Sequence, residues 1–127
     1  MKAFVHDSRV MDSELKTFVE LQNKHKDIFR QINTAKSNFH TKEYVKKMSA
    51  LTYSQVAQVP EDTRVYKSVG KMFMLSTVPE LKDQLQQEQL NSEKEMKKWS
   101  EVQNLLTDKI RDVESQLKDM SVRFTKK

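Results

Sequence analysis

His6, His25 and His40 are the side chains with which this sequence could most readily hold a metal or move a proton, and Glu93 and Glu95 are its clearest pair of close carboxylates. Neither set is arranged for that chemistry. A structural zinc site needs four nitrogen or sulfur ligands converging on one point, but the chain has no cysteine and neither His6 nor His40 has a partner at ligand spacing. His25 falls on the apolar stripe of a predicted helix, where a lone histidine serves as a polar spacer. Glu93 and Glu95 read as ordinary surface charges of a helix. The chain has one glycine, Gly70, so it has no Gly-rich phosphate loop and no Gly-x-Ser-x-Gly elbow. Nothing in the pattern supplies a pocket that would desolvate a catalytic pair. No enzymatic activity, metal or cofactor is expected. The lack of cysteine also removes disulfides and thiol nucleophiles, in agreement with a reducing compartment.

The remaining chemistry is that of apolar side chains and what they bury against. Charged residues make up 32 % of the 127 positions and the hydrophobic set only 36 %. That supply suits long helices that bury a narrow stripe better than a thick core. Pro60, Gly70 and Pro79 all fall in one window and divide the chain into arm, island and arm. In the first arm Leu21, His25, Ile28, Ile32, Ala35 and Phe39 follow a 4-3-4-3-4 spacing, which places them on one helix face. Met11, Leu15 and Phe18 extend the stripe with a slip of register. Beyond Phe39 it weakens, leaving Tyr44, Val45 and Met48. In the second arm Trp99, Val102, Leu106, Ile110, Val113, Leu117, Met120 and Phe124 recur at gaps of three or four, while the stretch before them offers only Leu90 and Met96. Neither arm can hide its stripe alone, so the two should pair as an antiparallel coiled coil. Thr77 with Glu80 reads as a capping box that starts the second helix, and Thr52 with Gln55 as another that starts a short turn.

The island is "RVYKSVGKMFML", Arg64 to Leu75. Val65 to Ser68 and Lys71 to Ser76 have strand-forming residues, and Gly70 can supply the positive φ of a tight hairpin turn. The apolar run Met72–Leu75 could also be one turn of buried helix; Gly70 and the cap that follows favour the hairpin. A lone hairpin is marginal in water and leaves two open edges. No other convincing strand exists in the chain, so the hairpin is expected to complete a sheet with other subunits.

The whole plan resembles prefoldin. "VYKSVGKMFML" is similar to the hairpin of beta-type prefoldin subunits, and "STVPELKDQL" to the start of their second helix. "SELKTFVELQ", with "LT" after the first helix, narrows the likeness to one eukaryotic beta-type subunit. The likeness runs from about Asp12 onward. It implies a mainly α fold, a long antiparallel two-helix coiled coil with a single central β-hairpin. The expected layout is an N-terminal tail over 1–11, a candidate for disorder, then one prefoldin domain over 12–127. That domain comprises a helix over 12–50, a connector and hairpin over 51–76, and a helix over 78–124. One hairpin per chain fits the beta type, since the alpha type has two.

The resemblance implies an ATP-independent co-chaperone built from two alpha-type and four beta-type subunits. Their hairpins form β-barrels, and their tips hold non-native clients, actin and tubulin among them, for transfer to the cytosolic group II chaperonin. Val65, Tyr66, Val69, Gly70, Met72, Phe73, Met74 and Leu75 are then the candidate assembly residues. Val10, Met11, Leu15, Phe18, Leu117, Met120, Val122 and Phe124 are the candidate client-binding residues at the tips. Leu15, Phe18, Leu117 and Met120 suit the helix seam better than the clamp, whereas Val122 lies off the seam. A structural coiled-coil adaptor of another complex is the alternative. A nucleic-acid partner is not expected despite the net charge of +5, because acids interrupt the basic residues. With no long apolar run and no signal-like N-terminus, no membrane partner is expected and the location read is cytoplasmic.

Overall fold

Long helices form here because almost nothing in the sequence stops them: helix-breaking residues are confined to the window between residues 60 and 79. In the computed structural model, which describes the backbone of residues 2–125 and the side chains of residues 12–124, the order is α1 (Lys2–Ala57), β1 (Val65–Val69), β2 (Met72–Ser76) and α2 (Val78–Thr125). The architecture is the expected one, two long helices and one antiparallel hairpin.

α1 is longer than the expected 12–50 at both ends. Its C-terminal extension has a clear local cause. Thr52 does not cap a new turn; its hydroxyl donates to the Met48 carbonyl at 2.9 Å, and the helix runs through it. The helix ends where Gln58 N–H reaches the Gln55 carbonyl at 3.2 Å and Val59 N–H the Val56 carbonyl at 3.1 Å. Such tightened i→i+3 bonds satisfy end carbonyls ahead of Pro60. The start of α2 keeps the Thr77 half of the expected capping box: Glu80 N–H donates to the Thr77 hydroxyl at 3.3 Å, while the Glu80 carboxylate makes no return bond to Thr77 N–H. Pro79 sits in the first turn, where its missing N–H has no helical use.

Along α1 the inward positions keep strict heptad spacing from Glu14 through Phe18, Leu21, His25, Ile28, Ile32, Ala35, Phe39, Lys42, Lys46, Ser49 and Tyr53 to Val56. Two expectations are corrected by this register. Leu15 is 54 % exposed, and half-buried Glu14 takes its place, reached by Arg123 Nη1 at 3.5 Å. Past Phe39 the stripe does not shift to Tyr44 and Met48, which are exposed; it continues through polar Lys42, Lys46 and Ser49. On α2 the middle stretch behaves alike. Leu90 is exposed, and Ser92 is buried in its stead.

Two compact units divide the chain. One comprises the chain up to Lys36 together with that from Glu101. Its interior is Ile28, Ile32, Ala35, Leu106, Ile110, Val113 and Met120. The antiparallel register there is fixed by His25 Nε2 at 3.1 Å from Glu114 Oε1 and by the edge-on Phe18–Phe124 pair, centroids 5.6 Å apart. The other unit is Ser37–Ser100. Its core is Val56, Val78 and Leu85, with Tyr53, Val59, Val65 and Leu81 packed against them. Lys46 Nζ meets Glu93 Oε1 at 2.8 Å, and Gln86 Nε2 donates to the Tyr53 hydroxyl at 3.2 Å.

Candidate assembly and client-binding surfaces

The hairpin has the tightest possible connection. Its register runs from Val65 opposite Ser76, through Tyr66–Leu75, Lys67–Met74 and Ser68–Phe73, to Val69 opposite Met72. Gly70, with φ +62°, is the first of the two turn residues, the placement a type II′ turn requires. Because facing partners lie on the same side of a sheet, Val65, Lys67, Val69, Met72, Met74 and Ser76 make one face. Tyr66, Ser68, Phe73 and Leu75 make the other.

The first face is anchored at its base. Val65 packs onto the Val56–Val78–Leu85 core, and Lys67 Nζ donates to Gln84 Oε1 at 2.8 Å. Beyond that anchor the apolar side chains stand in the open. Tyr66 is 60 % exposed, Met72 70 %, Phe73 73 %, Met74 56 % and Leu75 62 %. Covering a side chain of this size is worth about 1.5–3 kcal/mol. Both outer edges of the two-stranded sheet are without a strand neighbour among the described residues. An exposed apolar patch bounded by open strand edges marks a contact surface.

The tip candidates divide. Phe18 and Phe124 are half-buried against each other, Met120 is buried and Leu117 half-buried. These four hold the helices together. Leu15 and Val122, 54 % and 42 % exposed, face outward. Val10 and Met11 lie outside the residues whose side chains the structure describes. Sequence reasoning missed Val19, which is 46 % exposed one turn after Leu15. The signal was present, since Leu15 and Val19 are four apart on one face.

The residues set aside as chemical candidates have structural places. His25 pairs with Glu114 across the seam, and Glu93 with Lys46. Trp99 is half-buried on the inward side of α2, with Lys98 Nζ 5.4 Å from its ring centre. Among the described residues no three His, Asp or Glu are grouped to hold a metal ion. No helix among them is long and apolar enough to cross a membrane.

Two antiparallel helices joined through one exposed hairpin define a class of protein by themselves, and comparison with known proteins gives that class a family. The "Prefoldin subunit" family matches residues 14–123. The chain is 30 % identical over 111 residues to prefoldin subunit 1 of Danio rerio, covering 87 % of this chain and 91 % of that protein. It is 27 % identical to prefoldin subunit 1 of Homo sapiens over the same shares. The crystal structure of the prefoldin beta subunit from Thermococcus strain KS-1 shares the fold, with a TM-score of 0.70 at 14 % identity, covering 81 % of this chain and 90 % of that one. The chain belongs to the prefoldin family of co-chaperone subunits.

Proposed function

We propose that the chain is a beta-type subunit of a hetero-hexameric prefoldin, which captures unfolded polypeptides without ATP and delivers them to the cytosolic group II chaperonin. The hairpin joins it to alpha- and beta-type partners. The outward apolar residues near the ends of α1 and α2 hold non-native clients such as actin and tubulin. The place of action is the cytoplasm. The observation that carries this reading is the hairpin: a sheet of two strands with Tyr66, Phe73 and Leu75 exposed on one face cannot satisfy itself within the chain.

At the tips, Leu15, Val19 and Val122 supply adaptable apolar contact, while Phe18, Leu117, Met120 and Phe124 keep the helix ends together beneath them. Varied clients suit flexible apolar contacts better than a shaped pocket.

The test is reconstitution with the partner subunits. The wild-type chain should enter a hexamer and suppress client aggregation in the absence of ATP. Met74→Asp with Leu75→Asp places a charge on each hairpin face and should exclude the chain from the complex, with its helix content unchanged. If that double variant still co-purifies with the partners, the hairpin is not the assembly site.

A further inference from the structure

Two cross-helix pairs mark the flanks of the unit that joins the chain up to Lys36 with that from Glu101. His25 with Glu114 lies on one edge of the seam, and Glu14 with Arg123 on the other. The flanks differ in charge. On the Glu14 flank α1 presents Glu20, Lys24 and Asp27, and α2 presents Lys109, Asp112 and Asp119, so both signs are mixed. On the His25 flank the α1 stripe runs from Leu15 and Val19 through Gln22, Lys26 and Phe29 to Lys36, with no acid along it. On α2, Arg111 and Lys118 lie three before and four after Glu114 and share its face. The acid of that face, Glu114, is already held by His25 at 3.1 Å. Lys26, Lys36, Arg111 and Lys118 are exposed, and none meets a carboxylate among the described residues.

Apolar side chains stand between these cations. Leu15, Val19 and Phe29 are 54 %, 46 % and 54 % exposed. With His25 opposite Glu114, the antiparallel register puts Arg111 close to the level of Phe29 and Lys118 close to that of Gln22. From Leu15 to Phe29 the stripe is about 21 Å long, the reach of about six residues of extended chain. Unpaired cations around exposed apolar groups complement a ligand that is itself apolar and negatively charged. A nucleic acid would call for a continuous basic track, which Leu15, Val19 and Phe29 interrupt.

We propose that this flank binds an extended client segment in which acidic residues alternate with apolar ones. Its apolar side chains lie on Leu15, Val19 and Phe29, and its carboxylates meet Lys26, Arg111 and Lys118. The proposal rests on the client-capture reading above and deepens it, carrying the contact along one flank and giving the captured segment a charge.

The experiment titrates the full chain into two labelled unstructured peptides with the same apolar residues, one with aspartate and glutamate between them and one with lysine. Fluorescence anisotropy should show the acidic peptide bound roughly tenfold more tightly at low salt, with the preference shrinking as salt is added. Arg111→Gln with Lys118→Gln should abolish most of that preference, and Phe29→Ser should weaken the acidic peptide severalfold. Lys24→Gln with Lys109→Gln removes the same charge from the other flank and should change little. All these side chains are exposed, so each variant should keep wild-type circular dichroism and still enter the hexamer with the partner subunits. Equal wild-type affinity for the two peptides would overturn the proposal. So would equal losses from the two glutamine pairs, which would make the preference one of overall charge. Exclusion of the Arg111/Lys118 variant from the hexamer would make the flank a subunit contact. Tighter binding of oligodeoxythymidine than of the acidic peptide would make it a nucleic-acid surface; either result overturns the proposal. Failure of the wild-type complex to suppress client aggregation would instead defeat the client-capture reading, whereas normal suppression without acidic preference defeats this proposal alone.

Discussion

Gly70 is where a single residue decides a local structure. Its φ of +62° lies in the left-handed region, which costs an L-residue about 1–2 kcal/mol. A Cβ built there would meet nothing within 4 Å, so the cost of Gly70→Val is backbone strain rather than a clash. Amide hydrogen exchange should therefore speed up across Val65–Ser76 by about tenfold, while α1 and α2 keep wild-type protection. Equal rates in the hairpin would mean that the turn does not depend on glycine. Val78 shows the contrary case of a residue set by its surroundings. It is fully buried in the core that anchors Val65, yet in the sequence it is one valine among many.

At the scale of the element, the seam depends on register more than on composition. Leu105 and Leu106 are neighbours of identical type, but Leu106 is 7 % exposed and Leu105 63 %. Leu106→Ala should lower stability to denaturant by about 2–4 kcal/mol, and Leu105→Ala by less than about 0.5 kcal/mol. Similar losses at the two sites would contradict the register. The same register explains what could be read beforehand. From Leu21 to Phe39 and from Trp99 to Phe124 the inward positions are nearly all apolar, so 3-4 spacing reveals them. Between these stretches Lys42, Lys46, Ser49 and Ser92 occupy inward positions, and no hydrophobic signal marks them. The apolar residues of these stretches, Tyr44, Met48 and Leu90, face out. Lys46 tolerates its place because Glu93 lies 2.8 Å away; Ser49 and Ser92 are small enough to sit buried between the helices. Glu14 replaced Leu15 for a related reason, a cross-helix partner in Arg123.

At the scale of the whole molecule, the outward apolar residues of the hairpin and those near the helix ends have different neighbours. The hairpin set stands on a sheet with open edges, suited to fixed pairing through backbone hydrogen bonds. Leu15, Val19 and Val122 stand on helix surfaces with no such edges, suited to loose and varied contact. Under the proposed function these two jobs separate. Leu15→Ser with Val122→Ser should reduce suppression of client aggregation, leave hexamer formation intact and shift thermal unfolding little, because neither side chain is buried. Unimpaired suppression would place client capture on other residues. The hairpin variants should show the reverse order, with assembly lost first.

The sequence by itself determined the plan of this protein: two helices, because only one short window contains residues that stop a helix, and one hairpin, because that window holds strand formers around the only glycine. It also led to the expectation that the hairpin pairs outside the chain, since no second sheet can be made from what remains. Only the tertiary structure decided which side of each helix faces inward where the seam is polar, and with it which tip residues are outward and which hold the helices together. A spacing pattern shows apolar residues that must be buried. It is silent on polar residues that are buried because a partner such as Glu93 or Arg123 lies across from them, and that partner is brought into place only when the helices pack.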